Sequence, residues 1–390
     1  GGPMIRGELE LPRFLEAALA GGHPWVYRDH VPKGFAARSG EVVLIRAGHF
    51  RGYALWDADG PIALRVYSSK EPPGADWVRE TVERATALRA AVRSQETTAY
   101  RWLFGEGDGL PGITVDRYGP FAVVVEYAPG LERMSALVVD ALRSDPGLEG
   151  VLRRSSGADR SSELVWGRAP PSDLVVLENG IRLHADLELG QKTGLFLDHR
   201  DNRAFIRRIA RGRRVLNLFG YTGAFSLYAA VGGATEVTSV DVAAPAIEAA
   251  RTNFRLNQLD DSAYEFVVAD VFEYLEAARR QGRTWDLVIC DPPSFARQKE
   301  QRQAALRAYE KLNAVGLQVT DVDGYYAAAS CTSQVSPEVF RQTVALAAAR
   351  ASRRFQIVHE AGQPLDHPVF AQHSEGRYLK FLVGRALSSR

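Results

Sequence analysis

The chain is poor in cysteine and has no spaced set of metal ligands. Its 390 residues include only two cysteines, Cys290 and Cys331, and eight histidines. Two cysteines cannot build the disulfide framework of a small secreted domain. None of the histidines stands at the spacing that a zinc site requires. We therefore expect neither a disulfide-stabilised fold nor a bound metal.

Long apolar runs are also absent. No stretch of about 18 apolar residues is present, so we expect no membrane span. A basic-then-apolar leader is not seen, and we expect a cytoplasmic protein. The net charge of +1 supports no strong claim about binding to polyanions, although such an average can hide a basic face. Only six of the 48 basic residues are lysines, and an arginine bias suits phosphate and base recognition.

The composition that remains is that of a globular chain with a full core. Hydrophobic residues make up 46% and charged residues 24%, and the length predicts two or three domains. In the first part, 4–70, strand-like runs at 41–46, 52–56 and 62–67 are separated by Gly and Asp turns. This pattern predicts a small β-barrel.

A second part is predicted over 75–188, after the breaker cluster at 71–74. Apolar residues from Val78 to Val92 recur at steps of three and four, which is typical of a helix with one buried face. Asn179-Gly180 is a strong signal for a two-residue hairpin turn. We expect a compact α+β module here.

The third part, 189–390, alternates strand-like runs with alanine-rich helical stretches. The strand-like runs are 214–219, 236–240, 264–268, 285–290, 324–329, 355–358 and 378–383. This alternation predicts a doubly wound, Rossmann-like α/β sheet. Ligands of such sheets bind at the carboxyl ends of the strands, where the strand order reverses.

Three successive strand ends carry the residues that a nucleoside cofactor needs. The first strand runs into a glycine turn, in which the backbone can approach a ligand closely. The next ends in Asp241, which is suited to the hydroxyls of a ribose, and the third in Asp270, which can reach an adenine amine. The dinucleotide pattern G-x-G-x-x-G is absent, which favours S-adenosylmethionine over NAD. The turn residues are Asn217, Phe219, Gly220, Tyr221, Thr222 and Gly223.

The fourth and fifth strands end in groups suited to chemistry on a base. Asp291 precedes two prolines that stiffen its loop, and Cys331 leaves the fifth strand among hydroxyl residues. If these strands are neighbours, the two side chains face each other. A thiolate is a good nucleophile, and its addition to C6 of cytosine would make C5 reactive. Cys290, inside a strand, is expected to be a small buried hydrophobe.

Four further segments extend the pattern over nearly the whole chain: Asp108–Gly112, Gln191–Arg200, Asp366–Pro368 and Glu375–Lys380. Together with the strand-end motifs, they resemble the bacterial 23S rRNA large-subunit methyltransferase I family. That family makes 5-methylcytosine with S-adenosylmethionine. The resemblance implies three domains: an RNA-binding PUA domain over 4–70, a central domain over 75–188, and a class I methyltransferase domain over 189–390.

The resemblance also implies roles for individual residues. Cys331 would be the nucleophile and Asp291 its partner. The cofactor would be held by the glycine turn, Asp241 and Asp270, together with Phe196, Asp198, Val242, Val271 and Pro292. Substrate contacts are expected from Lys192, Arg200, Pro293 and Ser294. The partner would be 23S rRNA, with a homodimer possible and no membrane.

Two alternatives remain open. A guanine or amino-group nucleic-acid methyltransferase on the same fold would keep its activity without Cys331. A non-catalytic RNA-binding protein would bind S-adenosylmethionine weakly or not at all. Arginines 207, 208, 211, 213 and 214 either contact phosphates or form the solvated face of a helix, and the sequence favours neither.

Overall fold

The computed structural model describes residues 5–156, 162–187, 193 and 195–390. Contacts divide the chain into two compact units. Unit 1 consists of Gly1–Val176, Asp186–Thr193 and Leu365–Gly376, and unit 2 of Leu177–Ala185, Gly194–Pro364 and Arg377–Arg390. The chain therefore passes between the units several times. The three-domain division at 4–70, 75–188 and 189–390 stays a prediction.

Unit 1 begins with a five-stranded sheet. Its strands are β1 (Ile5–Glu10), β2 (Trp25–Tyr27), β3 (Val42–Ala47), β4 (Phe50–Trp56) and β5 (Ile62–Ser68), in the order β1-β3-β4-β5-β2. The short helix α1 (Glu16–Ala20) connects β1 to β2. The three strands predicted from alternation correspond to β3, β4 and β5. β1 and β2 have too few alternating residues to be predicted.

A second five-stranded sheet with two helices completes most of unit 1. The helices are α2 (Ala75–Arg89) and α3 (Glu132–Leu142). The strands are β6 (Ala99–Phe104), β7 (Ile113–Tyr118), β8 (Phe121–Glu126), β9 (Gly150–Ser155) and β10 (Glu163–Gly167), in the order β10-β9-β8-β7-β6. One face of α2 is buried through Val78, Val82 and Ala85. The spacing of these residues thus predicted the helix correctly.

A segment from late in the chain, Leu365–Gly376, is built into unit 1. Arg89 of α2 pairs with Asp108 through two hydrogen bonds of 2.6 and 2.7 Å and also donates to the Asp366 carbonyl. The Asp366 carboxylate accepts the backbone amide of Arg101 at 2.9 Å. The motifs around Asp108 and Asp366 therefore meet in space.

Unit 2 is a mixed seven-stranded sheet flanked by helices. Its strands are β13 (Arg214–Leu218), β14 (Glu236–Asp241), β15 (Glu265–Val268), β16 (Trp285–Cys290), β17 (Thr320–Cys331), β18 (Arg353–Ala361) and β19 (Leu379–Ser388), and they follow a hairpin of β11 (Val175–Glu178) and β12 (Ile181–His184). The sheet order is β15-β14-β13-β16-β17-β19-β18. Only β19 runs antiparallel to its neighbours, and the order reverses between β13 and β16.

Six helices flank this sheet: α4 (Arg200–Ile209), α5 (Ala224–Val231), α6 (Ala244–Leu256), α7 (Val271–Arg280), α8 (Arg302–Gln318) and α9 (Pro337–Arg350). The doubly wound, Rossmann-like α/β fold predicted from the alternation is confirmed. The hairpin turn is confirmed as well, since Asn179 and Gly180 both have positive φ, 50° and 78°. Within the described residues, no helix is both long and apolar enough to cross a membrane.

Candidate functional site

The turn after β13 has an unusual backbone. Phe219, Tyr221 and Gly223 adopt left-handed conformations, with φ of 56°, 51° and 83°. For a residue other than glycine this costs about 1–3 kcal/mol and persists only where the surroundings hold it. The amide of Gly220 donates to the Val240 carbonyl at 2.9 Å and fixes the turn against β14. The turn therefore has one defined shape at the point where the strand order reverses.

Asp241, at the end of β14, faces this turn. Its carboxylate accepts the amide of Tyr221 at 2.9 Å through one oxygen and the amide of Ala243 at 2.9 Å through the other. A carboxylate has about four acceptor positions, so lone pairs remain for the two hydroxyls of a ribose. The next side chain, Val242, is 69% exposed and offers an apolar surface beside the carboxylate.

Asn217 and Thr222 lie under the turn rather than on its surface. The buried Asn217 amide donates to Ser226 Oγ at 2.8 Å, and Ser226 in turn shares a 2.6 Å hydrogen bond with Ser239. Thr222 is also buried, and its carbonyl accepts the Asn253 amide at 2.9 Å. Both residues stabilise the turn. Because their side chains are buried, mainly their backbone groups are suited to the predicted cofactor contact.

Asp270 begins α7. It is exposed, and its carboxylate accepts the amide of Glu273 at 3.0 Å as a helix cap. The side chain of Val271 is buried in the core of unit 2. Only the backbone of Val271 is therefore suited to the predicted cofactor contact, whereas Asp270 has a second oxygen free of the cap.

Phe196 reaches the turn from the segment before α4. Its exposed ring lies 5.2 Å from the ring of Tyr221, so two predicted cofactor residues come together. Asp198, two residues later, accepts the Tyr378 hydroxyl at 2.6 Å. The carboxylate of Asp198 is thus tied to the segment that leads into β19.

Asp291 has a histidine partner that the sequence did not reveal. His199 is only 3% exposed, and its Nε2 lies 3.3 Å from Asp291 Oδ2. The other ring nitrogen, Nδ1, lies 2.9 Å from the side-chain amide of Asn202. The ring also contacts Phe225 and Phe381, at 5.2 and 5.8 Å between centroids. The imidazole is therefore fixed on all sides.

The charges around His199 favour its protonated form. Burial by itself would lower the pKa of His199, but the carboxylate of Asp291, with a smaller contribution from Asp198, raises it above its ordinary value of 6.5. Because the imidazolium donates to Asp291, it holds that carboxylate in one orientation. The sequence could not show this pair, since 91 residues separate its members.

The neighbouring strands β16 and β17 bring Asp291 and Cys331 to one face of the sheet. The two strands pair in parallel, with Cys290 opposite Ala328, and both of these side chains lie in the core. Successive side chains alternate between faces, so Asp291 and Cys331 point to the opposite face. Cys290 is fully buried, and burial raises its pKa to about 12, whereas Cys331 is partly exposed. Cys331 is thus the cysteine suited to chemistry.

The loops after β16 and β17 are joined by a hydrogen bond, and a second bond stiffens the first of these loops. The Thr332 hydroxyl donates to the Ala296 carbonyl at 2.6 Å, and Ser294 donates to the same carbonyl at 2.9 Å. Pro292 is buried and Pro293 is exposed. The loop predicted to contact substrate is therefore tied directly to the residue after Cys331.

Lys380 of β19 holds the backbone of the residue after Cys331. The side chain is 2% exposed, and Nζ donates to the carbonyls of Thr332 and, at 2.7 Å, of Tyr378. A lysine inside the otherwise apolar run Leu379–Val383 is the sequence signal that could have pointed to it.

For two of the predicted substrate residues, Lys192 and Arg200, the structure gives no support for a contact with substrate. Lys192 lies outside the described residues. Arg200 is buried in the first turn of α4, 3.7 Å from the carboxylate of Asp201. In the part of the chain that the structure describes, no group of three or more His, Cys, Asp or Glu residues is placed to hold a metal ion.

The groups around the turn fit a sulfonium nucleoside. The left-handed turn, the anchored carboxylate of Asp241, the exposed Val242 and the free oxygen of Asp270 form one continuous edge of the sheet. The turn lets a ligand approach the backbone closely. Asp241 can accept hydrogen bonds from two ribose hydroxyls, Val242 offers an apolar surface, and Asp270 can accept a hydrogen bond from an amine.

Comparisons with known proteins identify the family of the chain and its cofactor. The family model described as S-adenosylmethionine-dependent methyltransferase matches residues 126–327, and the model of a PUA-like domain matches residues 10–69. The chain is also similar to a solved methyltransferase from Streptococcus mutans, with a TM-score of 0.86 and 27% identity over 98% of this chain and all of that one. A methyltransferase crystallised in complex with SAH, SMU.776, gives a TM-score of 0.87 and 29% identity over the same shares.

Curated relatives match over almost the whole length. The "Ribosomal RNA large subunit methyltransferase I" of Shewanella denitrificans is 37% identical over 97% of this chain and 98% of its own. The "Ribosomal RNA large subunit methyltransferase" of Deinococcus radiodurans is 39% identical over 97% of this chain and 96% of its own. This chain, with its N-terminal PUA-like domain, therefore belongs to the ribosomal RNA large subunit methyltransferase I family of S-adenosylmethionine-dependent methyltransferases.

Proposed function

We propose that this protein methylates C5 of a cytosine in 23S ribosomal RNA, with Cys331 as the nucleophile. Relatives named as large-subunit rRNA methyltransferases match nearly the whole chain, and a PUA-like domain precedes the catalytic unit. The observation that carries the C5 chemistry is the partly exposed Cys331 at the end of β17, on the same face of the sheet as Asp291.

The chemistry requires a nucleophile because C5 of cytosine is itself unreactive. The Cys331 thiolate adds to C6, and the electron pair of the C5–C6 double bond moves to C5. Bound S-adenosylmethionine would supply an electrophilic methyl group to C5 and would be left as the neutral thioether S-adenosylhomocysteine. A base then removes the C5 proton, the double bond re-forms and the C6–S bond breaks, which releases the thiolate.

Asp291 is proposed to orient the base. A carboxylate accepts hydrogen bonds, and the exocyclic amine of cytosine donates them. The imidazolium of His199 holds this carboxylate at 3.3 Å, so Asp291 can meet the base without reorganising. A positioned acceptor of this kind favours an amino-bearing pyrimidine over uracil.

The target base must leave its stack to meet both a thiolate and a sulfonium. We therefore propose loop RNA, or a base flipped out of a helix, as the substrate. The PUA-like domain would supply sequence-independent or shape-dependent binding of the RNA. The homodimer and the phosphate contacts of the arginines in and after α4 stay predictions.

The test uses tritiated S-adenosylmethionine and 23S rRNA that lacks the modification. Wild type, Cys331→Ala and Cys290→Ala are compared, and the product is digested to nucleosides. We expect label in 5-methylcytidine for wild type and for Cys290→Ala, and loss of at least about 100-fold for Cys331→Ala, since nucleophilic activation is removed. Circular dichroism checks that both variants are folded.

Each alternative gives a different result. Label that survives in Cys331→Ala, or that appears in a guanine or an amino-methylated nucleoside, would refute the C5 mechanism and favour the guanine or amino-group chemistry. An absence of transfer together with no S-adenosylmethionine binding by calorimetry would favour the RNA-binding scaffold. RNA containing 5-fluorocytosine adds a second readout, because it should trap a covalent adduct on Cys331.

A further inference from the structure

A groove lies between α9 and β18, the strand at the outer edge of the sheet of unit 2. Its volume is about 380 Å³, which falls within the range of ligand pockets. The apolar lining comes from three alanines of α9 together with Phe355 and Ile357 of β18. The ring of Phe355 covers Gly384 of β19, since a Cβ on that glycine would lie 2.6 Å from two ring atoms. The α9–β18 groove therefore offers an aromatic ring and small side chains, a surface against which a planar group can lie.

Arginines supply the charge of this groove. Arg341 comes from α9, Arg353 and Arg354 come from the start of β18, and none of the nine lining residues is acidic. Arg353 donates to the Thr320 carbonyl and Arg354 to the Ser388 carbonyl, each at 2.8 Å. These carbonyls carry no net charge, so the bonds fix the two guanidinium groups without neutralising them. The bond of Arg354 uses Nε and leaves its two Nη groups for an anion.

The region around the groove is more basic than the chain as a whole. Residues 337–361, which form α9 and β18, contain four arginines and two glutamates, although the net charge of the chain is only +1. Glu360 lies 3.8 Å from Arg341, which is too long for a hydrogen bond, and both side chains are well exposed. Such a pair contributes little, so it leaves Arg341 able to turn to another anion. This edge of the sheet is thus a basic face of the kind that an average charge hides.

The groove is separate from the cofactor edge and from Cys331. β18 pairs antiparallel with β19, which pairs antiparallel with β17, so β18 runs in the direction of the parallel strands. Its first residues therefore lie at the amino edge of the sheet, opposite to the carboxyl edge that carries Asp241. Phe355 packs against the core cluster that contains Cys290, on the face of the sheet opposite to Cys331. A ligand in the groove would thus not be the reacting base.

The chemistry of the groove favours RNA over a second copy of this chain. A guanidinium group donates paired hydrogen bonds to a phosphate, and a base can lie against an aromatic ring. Single-stranded RNA is bound by this combination of a positively charged groove and a stacking surface. In a symmetric contact between two copies at this edge, the arginines of one copy would meet those of the other, and like charges repel.

We propose that the α9–β18 groove binds a single-stranded segment of the ribosomal RNA substrate, with phosphates on Arg341 and Arg354 and a base against Phe355. The binding is non-covalent and has no strong base preference, because every base has a face that can stack. It holds the RNA on the side of the catalytic unit that does not carry the reacting base. This inference rests on the RNA substrate of the proposed function, but not on its C5 chemistry.

The first experiment measures binding of a fluorescent oligouridylate by anisotropy over a range of salt concentrations. This RNA contains no cytosine, so its binding does not report on the proposed methylation. We expect the double variant Arg341→Gln, Arg354→Gln to bind roughly tenfold more weakly at low salt. The slope of log affinity against log salt should fall by about 1.4, the value for two phosphates of a single strand.

The matched control removes the same charge elsewhere on unit 2. The double variant Arg279→Gln, Arg280→Gln changes two exposed arginines in the last turn of α7, and it should bind as wild type does. Circular dichroism checks that both double variants are folded. If their salt slopes were equal, the proposal would be overturned.

A second pair of variants tests the shape of the groove without changing its charge. Ala345 is exposed and lines the groove, so Ala345→Leu fills part of the cavity. We expect it to weaken oligouridylate binding about fivefold or more, through loss of the base contact, with the salt slope unchanged. Ala87→Leu makes the same change at an exposed position of α2 and should have no effect. Unchanged binding in Ala345→Leu would refute the placement of a base in the groove.

Sedimentation velocity of the same variants tests the other occupant. If the groove variants changed the oligomeric state and left RNA binding intact, the groove would be an interface between copies of this chain and the proposal would be wrong. Failure of the proposed C5 chemistry gives a different result, namely label in another nucleoside while oligouridylate binding still depends on Arg341 and Arg354.

Discussion

Asp241 holds two amides of the cofactor turn while leaving acceptor positions free, so its replacement tests the ribose assignment. We expect Asp241→Ala to weaken S-adenosylmethionine binding by about 1.5–3 kcal/mol, the value of one charge-assisted hydrogen bond or more. Titration calorimetry measures this directly. Asp260→Ala removes an exposed aspartate that caps a short turn outside the cleft and should bind normally. Equal affinity for all three proteins would contradict the assignment.

The pair of His199 and Asp291 should make stability depend on pH. The folded pKa of His199 is raised, so the stabilisation is complete below its ordinary value of 6.5 and is lost as pH rises through the folded value. In urea unfolding, we expect His199→Gln to cost about 1–3 kcal/mol at pH 6 and progressively less toward pH 9.

His359 is a control with the opposite sign. Burial, together with Arg208, lowers the pKa of His359, so its contribution is present above 6.5 and is lost as pH falls. The stability difference for His359→Gln should therefore grow as pH rises. If the stability differences of both variants changed with pH in the same direction, the proposal that His199 is protonated and paired with Asp291 in the folded protein would be refuted.

At the scale of single residues, the sequence predicted which groups meet at the ends of β13 to β15 better than it predicted the surroundings of Asp291. The glycine turn and the strand-end acids are read from order along the chain, and the structure places them together. His199 acts through Asp291, which is 92 residues away in the sequence, and no local spacing marks this pair. The left-handed conformations of Phe219 and Tyr221 could not be predicted from the sequence either, because surrounding contacts impose them.

At the scale of the element, the turn between β13 and α5 depends on a glycine for two separate reasons. Gly223 has φ of 83°, and a Cβ there would lie 2.7 Å from the Cβ of Ala250 on α6. Gly212 has φ of 73° but open space around it. We expect Gly223→Ala to cost about 2–4 kcal/mol from strain and overpacking, and Gly212→Ala only about 1 kcal/mol.

Thermal unfolding and S-adenosylmethionine titration of both glycine variants check this expectation. Gly223→Ala should lose stability and cofactor affinity together, because α6 and the turn must move apart. Gly212→Ala should bind normally. Equal melting temperatures for the two variants would show that the packing of Gly223 against Ala250 does not constrain the turn.

Strands and helices were predictable where one face is buried. The periodicity of α2 and the alternation in β3 to β5 come directly from burial on one side. The short strands β1 and β2 were missed, since pairing with neighbours rather than their own pattern makes them strands.

At the scale of the whole molecule, a buried ion pair holds the late segment Leu365–Gly376 within unit 1. Arg89 is 1% exposed and joins Asp108 to the Asp366 carbonyl. We expect Arg89→Met to cost about 3–5 kcal/mol, because it leaves a buried carboxylate unpaired. Arg93→Met breaks a pair with Asp145 in which the arginine is more exposed, and should cost about 1 kcal/mol or less.

Hydrogen exchange gives the local readout of this change. In Arg89→Met the amides of Leu365–Gly376 should exchange faster, whereas in Arg93→Met they should keep the wild-type rate. If amide exchange became faster by the same factor throughout unit 1, Arg89 would not be what holds Leu365–Gly376 in place.

The interlaced path of the chain has a consequence for synthesis. Unit 1 needs Leu365–Gly376, which a ribosome adds roughly 190 residues after Val176. At about 5–20 residues per second, this is a wait of about 10–40 s. During that time Asp108 and Arg89 have each other but lack the Asp366 backbone. The nascent N-terminal half therefore stays incomplete while the ribosome synthesises the catalytic half. A chain truncated before Leu365 would lack the segment that completes unit 1.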